Sequence, residues 1–231
     1  MNRRDAVGRI VWGGAGAALV ACGAAPPAGD GAGIDRLRTG LEDGSIDAAA
    51  ALVDPAHRTL RASPEFRALM REHLRDATLT IVSADEPGTP LEVSGRVVDT
   101  EGNPIRDARI HVYQTDDRGY YGVERSDDQR NPRLYGYLRT GADGRYALRT
   151  VRPGHYAHAP DGPQHIHFEF GADGHRRARG VGPPSLFFAD DETLLDEYLE
   201  EIESDGAHVG TVARGEDGVE RCTYDLVLRR E

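Results

Sequence analysis

The 231-residue chain contains no lysine. All 28 of its basic residues are arginine, they are outnumbered by 39 acidic residues, and the formal charge is −11. That deficit excludes nucleic acid and anionic membrane surfaces as general partners, since both are held through dense positive charge. Cysteine is nearly absent, with only Cys22 and Cys222. No disulfide framework is therefore expected. Cys222 lies in an alternating strand pattern over 221–228 and reads as a small buried apolar residue. Long apolar runs are missing too. The stretch 11–21 is too short to cross a bilayer.

That stretch has a different reading. Arg3 and Arg4 supply a positive start, and Leu19-Val20-Ala21-Cys22 matches a lipobox. Residues 1–22 are therefore expected to be a lipoprotein-type signal peptide. The paired arginines leave the twin-arginine route open beside the general one. The mature chain would sit outside the cytoplasm, touching the bacterial membrane only through a lipid on Cys22.

Residues 23–33 are rich in Gly, Ala and Pro and read as a flexible tether. Weak helical periodicity follows through Ile34, Leu37, Leu41, Ile46 and Leu52, interrupted at Gly40 and Gly44. A helix is expected over 64–74, with Ser63 as N-cap and Pro64 in its first turn. Residues 34–87 are expected to pack on the main domain. Beyond them the period changes to two. Strands are expected over 91–98, 108–115, 135–139, 145–151, 165–170, 185–188 and 221–228. One late helix is expected over 190–203. Short strands at regular spacing with Gly and Pro turns imply a mainly β chain, a β-sandwich over 88–231.

Gln164-His165-Ile166-His167-Phe168-Glu169-Phe170 carries the sharpest signal. Alternate residues of a strand share a face, which sets the Cα atoms of His165 and His167 roughly 6.6 Å apart. Two neutral imidazoles on one face make a natural metal site. Taken alone, the pair also suits two solvent-facing strand histidines. Further ligands must come from nearby loops, and tyrosines cluster upstream at Tyr120, Tyr121, Tyr135, Tyr137, Tyr146 and Tyr156. A phenolate is a hard anionic donor and with imidazoles suits Fe(III).

An ordered set of motifs resembles the intradiol ring-cleavage dioxygenases: Gly95-Arg96-Val97-Val98-Asp99, Gly102-Asn103-Pro104-Ile105, Gly119-Tyr120-Tyr121, Arg152-Pro153-Gly154-His155-Tyr156 and His165-Ile166-His167-Phe168. The closing Tyr224-Asp225-Leu226-Val227-Leu228-Arg229 is similar to the protocatechuate branch. The resemblance covers roughly residues 90–230. It implies a β-sandwich with a non-haem ferric ion held by Tyr121, Tyr156, His165 and His167. The positions of Tyr156 and His167 are axial in the family, those of Tyr121 and His165 equatorial. It also implies cleavage of an aromatic diol by O2 between its hydroxylated carbons, to a cis,cis-muconate. Tyr156 then also takes a substrate proton. Family members often pair through N-terminal helices, so a homo-oligomer is an open expectation.

One departure stands out. The family's arginine three residues before the first ligand histidine is replaced here by Gly162, and a glutamine that partners it by Ser185. Arg133, Arg152 and Arg176 are candidate substitutes. Tyr113, Tyr120, Tyr137 and Tyr146 read as core or rim aromatics. His111 reads as surface, His155, His158 and His175 as loop residues near the pocket, and Asp190-Asp191 as the start of a solvated helix. The rival readings are a non-catalytic transthyretin-like surface module and an iron-binding relative without turnover.

Overall fold

The computed structural model describes residues 31–178, 184–194, 199 and 207–231. The expected signal peptide, Cys22 and most of the tether lie outside these residues, as does most of the expected late helix.

Helix α1 (Gly31–Glu42), α2 (Ala48–Val53) and α3 (Pro64–His73) precede the strands. Gly31–Gly33 belong to α1 and not to a tether. Gly40 does not interrupt this helix. The Ile46 side chain packs onto it so closely that a Cβ there would lie 2.4 Å from Ile46 Cδ1. Helix α3 starts where its cap requires. Ser63 Oγ accepts from Phe66 N at 3.1 Å, and Pro64 sits in the first turn, where no N–H is needed. Ser63→Ala is expected to destabilise the chain by about 0.5–2 kcal/mol. The urea midpoint measures this.

The strands are β1 (Thr78–Thr80), β2 (Pro90–Asp99), β3 (Arg109–Gln114), β4 (Leu134–Arg139), β5 (Arg145–Val151) and β6 (His165–Gly171). Then come β7 (His175–Arg177), β8 (Ser185–Phe188), β9 (His208–Gly210), β10 (Ala213–Arg214), β11 (Glu220–Thr223) and β12 (Leu226–Arg230). One sheet runs β1-β5-β2-β11-β10, with β12 also on β2 and β7 beside β12. The other runs β4-β3-β6-β8-β9. This is the expected sandwich. Ile110, Val112, Ile166 and Phe168 fill its interior from one side, and Val93, Val97, Leu148 and Leu226 from the other. Each such side chain contributes about 1.5–3 kcal/mol when fully buried. The helices join the same core through Leu37, Phe66 and Met70.

The expected last strand is two strands. β11 pairs with Leu91–Ser94 and β12 with Val97–Asp99, with a jog between them at Tyr224-Asp225. Gly95 makes room for it, since a Cβ there would collide with the Tyr224 carbonyl. Tyr146 Oη donates to that carbonyl at 2.6 Å, and Asp225 Oδ1 accepts from Arg96 N at 2.8 Å. Of the expected late helix, residues 190–194 are not helical, whereas residue 199 is.

Candidate metal centre

Phe168 packs against Tyr146 and Tyr224 of the facing sheet, with ring centroids 6.1 and 5.2 Å away. Strand alternation then sends His165 and His167 to the outer face. There the imidazoles meet perpendicular to each other, 4.6 Å between centroids. His165 Nδ1 donates to the Pro163 carbonyl at 2.8 Å, which leaves its Nε2 as a lone-pair donor. His167 Nδ1 lies 3.3 Å from Ser185 Oγ, and its Nε2 lies 3.1 Å from the Gln129 amide nitrogen. An amide NH2 only donates, so Nε2 of His167 also carries the free pair.

Two turns bring the phenols to these nitrogens. Tyr121 follows a turn in which Asp116 Oδ1 accepts from the backbone N of Arg118 and of Tyr120, both at 3.0 Å. Gly119 sits in this turn at φ +85, and a Cβ there would strike the His155 carbonyl. Gly154, in the turn that carries Tyr156, is as crowded: its Cβ would lie 2.5 Å from Asp117 O. The turns are joined by Gly154 N donating to Asp116 O at 2.8 Å, and Thr115 Oγ1 donating to Gly154 O at 3.0 Å. Backbone thus packs on backbone through two glycines, which fixes one tyrosine relative to the other. Arg133 braces the assembly. Its guanidinium grips Glu86 twice at 2.7 Å and reaches Asp116 at 3.3 Å, while its N–H donates to Tyr121 O at 2.6 Å.

Four donor atoms converge as a result. Tyr121 Oη lies 2.7 Å from Tyr156 Oη and 2.8 Å from His167 Nε2. Tyr156 Oη lies 2.8 Å from His165 Nε2 and 3.3 Å from His167 Nε2. Tyr121 and His167 are buried, whereas Tyr156 and His165 are half-buried and mark the accessible side. Burial lowers the pKa of both imidazoles, with His165 and His111 adding to the effect at His167. It raises that of both phenols, and the Tyr156 charge raises Tyr121 further. Without a cation the cluster is therefore neutral, and a high positive charge is what would draw the phenolates out.

The other expected residues fall elsewhere. Tyr120 is half-buried, and Tyr135 and Tyr146 point their hydroxyls at the carbonyls of Arg61 and Tyr224. Tyr113 is buried and stacks on His167 at 4.5 Å, and burial followed by the Glu169 charge pushes its phenol up to about 12. His111 is not a free surface residue; it is stacked on Tyr137 at 4.7 Å and paired with Glu169 at 3.1 Å. His155 Nδ1 donates to Gly162 O at 2.9 Å and orders that turn. His158 stacks on the Tyr156 ring at 5.3 Å. His175 opens β7, beyond the far end of β6, and Arg176 shares that strand. Arg152 engages Asp190 at 2.8 Å and Glu220 at 3.3 Å. Arg152 also donates through Nε to Gln164 Oε1 at 2.8 Å, beside His165, so two of the three candidate arginines, Arg133 and Arg152, are engaged with side-chain partners.

Asp191 corrects the solvated-helix reading. It is buried and accepts from Gln164 N at 2.6 Å and from Thr193 N at 2.9 Å, so it anchors the residue before His165. Gln129, in an exposed polar loop, carried no sequence signal. Among the described residues no group of three or more His, Cys, Asp or Glu side chains is placed to hold a metal. The phenols are what complete the donor set, and two phenols with two imidazoles fit a ferric ion.

A family model described as Dioxygenase matches residues 62–230. Over 210 residues the chain is 30% identical to hydroxyquinol 1,2-dioxygenase of Rhodococcus opacus, covering 78% of this chain and 68% of that one. It is 37% identical over 111 residues to the hydroxyquinol 1,2-dioxygenase of Rhizobium sp. strain MTP-10005, covering 46% of this chain and 38% of that one. The dioxygenase domain of a dioxygenase–carbohydrate-binding protein fusion from Streptomyces sp. SirexAA-E superposes with a TM-score of 0.51 at 27% identity, covering 68% of this chain and 90% of that one. The matched span runs from the approach to α3 through β12 and contains every phenol and imidazole of the cluster. The chain belongs to the intradiol ring-cleaving dioxygenase family.

Proposed function

We propose that this dioxygenase holds one ferric ion through Tyr121, Tyr156, His165 and His167. We propose further that it opens a catechol-type ring between the two hydroxylated carbons, to a cis,cis-muconate-type diacid. The observation that carries this reading is the meeting of four donor atoms at hydrogen-bond distance on one sheet face. A non-catalytic surface module gives no reason for that meeting.

A ferric ion there would supply Lewis acidity toward both oxygens of the diol and make the ring receptive to O2. The chain's own residues do the rest. Pro163 O and Ser185 Oγ hold the imidazoles with Nε2 forward. The locked turns at Gly119 and Gly154 hold the phenols against them. Buried Tyr121 and His167 keep water from the deep side. Tyr156 Oη lies on the accessible side, and once drawn out as a phenolate by the cation it would take up a proton from the incoming diol. Rigid placement of this kind removes much of the entropic part of a barrier.

Oxygen uptake in 18O2 with catechol tests the reading. The expected product is a ring-opened diacid carrying both labelled atoms. A singly labelled product, or no uptake by iron-loaded protein, would contradict it. Export and anchoring at Cys22 remain part of the proposal and rest on residues 1–22. Palmitate labelling that survives Cys22→Ser would remove them.

A further inference from the structure

We infer that Gln129 selects the substrate by reading an uncharged, hydrogen-bonding substituent on the ring. This deepens the catechol-dioxygenase reading above and rests on it.

Residues 123–132 form a strap that carries Gln129 to the donor cluster and Asp127 to His158. Arg67 of α3 holds its far end through the carbonyls of Arg130 at 2.6 Å and Pro132 at 3.1 Å. Its start is bent, with Glu124 at φ 55 and Arg125 at φ 62, a left-handed conformation that non-glycine residues seldom adopt. In the middle, Asp127 faces His158 at 3.5 Å, and His158 lies flat on the Tyr156 ring. Gln129 alone on the strap reaches the donors. Its amide nitrogen is 3.1 Å from His167 Nε2.

That contact uses the nitrogen lone pair that a metal ion would take. On loading, the amide must give up His167, and a ring bound at the donors is the partner next to hand. An amide offers one acceptor and two donors and no charge, which suits a ring hydroxyl. A ring carboxylate fits poorly. It would approach Asp127 on the same strap. Gly162 stands where the family places an arginine, and Arg133 and Arg152 are engaged with carboxylates. A neutral hydrogen bond of this kind is worth roughly three- to tenfold in affinity.

The test is an anaerobic titration of the iron-loaded chain, followed through its visible absorption. The probes are catechol, 1,2,4-trihydroxybenzene and 3,4-dihydroxybenzoate. The native protein is expected to bind the triol roughly three- to tenfold more tightly than catechol, and the benzoate most weakly. In Gln129→Leu the ratio of the catechol Kd to the triol Kd should fall to about one, while Gln129→Asn should keep part of it. Gln129→Arg should raise the relative affinity for the benzoate. Gln129 is exposed, so folding is not at stake. An undiminished triol preference in Gln129→Leu, or tightest binding of the benzoate by the native protein, overturns the inference. Iron-loaded native protein with no visible band overturns the metal reading instead, so the two failures are distinct.

Discussion

Tyr156→Phe is expected to slow ring opening by about 10²–10⁴-fold, the range that one positioned proton acceptor supplies. The substitution removes a single oxygen, and three contacts end on it: Tyr121 Oη at 2.7 Å, His165 Nε2 at 2.8 Å and His167 Nε2 at 3.3 Å. Folding should suffer far less. The ring remains, His158 still stacks on it, and the half-buried His165 nitrogen left behind loses about 1–3 kcal/mol of hydrogen bonding. Tyr137→Phe is the matched control. Its ring lies against His111 and Tyr135, and its hydroxyl meets Arg71 at 3.4 Å. Steady-state kcat and a thermal melt separate the two effects. A Tyr156→Phe rate within threefold of native would remove Tyr156 from the chemistry.

Gly119→Ala is the second large effect, about 2–5 kcal/mol of lost stability. Left-handed backbone at φ +85 contributes about 1–2 kcal/mol of this for a residue with a Cβ. Collision of the new methyl with the His155 carbonyl contributes about 1–3 kcal/mol more, because the neighbour is backbone and cannot swing away. Gly102 separates these contributions. It has φ +86 with nothing within 4 Å of the added Cβ, so Gly102→Ala should show the conformational part alone. Urea unfolding of the metal-free variants measures both. If the two losses are equal, the backbone-to-backbone contact between the tyrosine turns is not what holds them. Gly119→Ala should also lower ferric uptake with all four donors intact, since the movement of either turn parts Tyr121 from Tyr156.

What was legible in the sequence follows from how local the cause is. A period of two over 165–170 put Ile166 and Phe168 inside and both histidines outside, because a strand has no other choice. Ser63-Pro64 marked the start of α3 through one hydrogen bond three residues away. Helix α1 was obscured because Gly40 reads as a breaker, and only Ile46, folded back over it, shows why a glycine is tolerated. The break between β11 and β12 was hidden for the opposite reason. Cys222, Tyr224, Leu226 and Leu228 stay buried in unbroken alternation, and only the hydrogen bonds change partner.

The candidate site divides in the same way. Its histidines could be found by pattern, but its tyrosines came only through resemblance, since spacing does not separate Tyr121 from Tyr120. The support around them was invisible. Asp191 reaches back to Gln164 across 27 positions, Arg133 reaches Glu86 across 47, and Gln129 meets His167 across 38. Such contacts belong to the tertiary fold and leave no local mark.

The most direct test of the central claim is titration of metal-free chain with Fe(III), followed in the visible. Two phenolates on one ferric ion should give an intense charge-transfer band that saturates at one iron per chain and weakens in both Tyr121→Phe and Tyr156→Phe. A colourless ferric complex, or a band unchanged in both variants, would contradict the account.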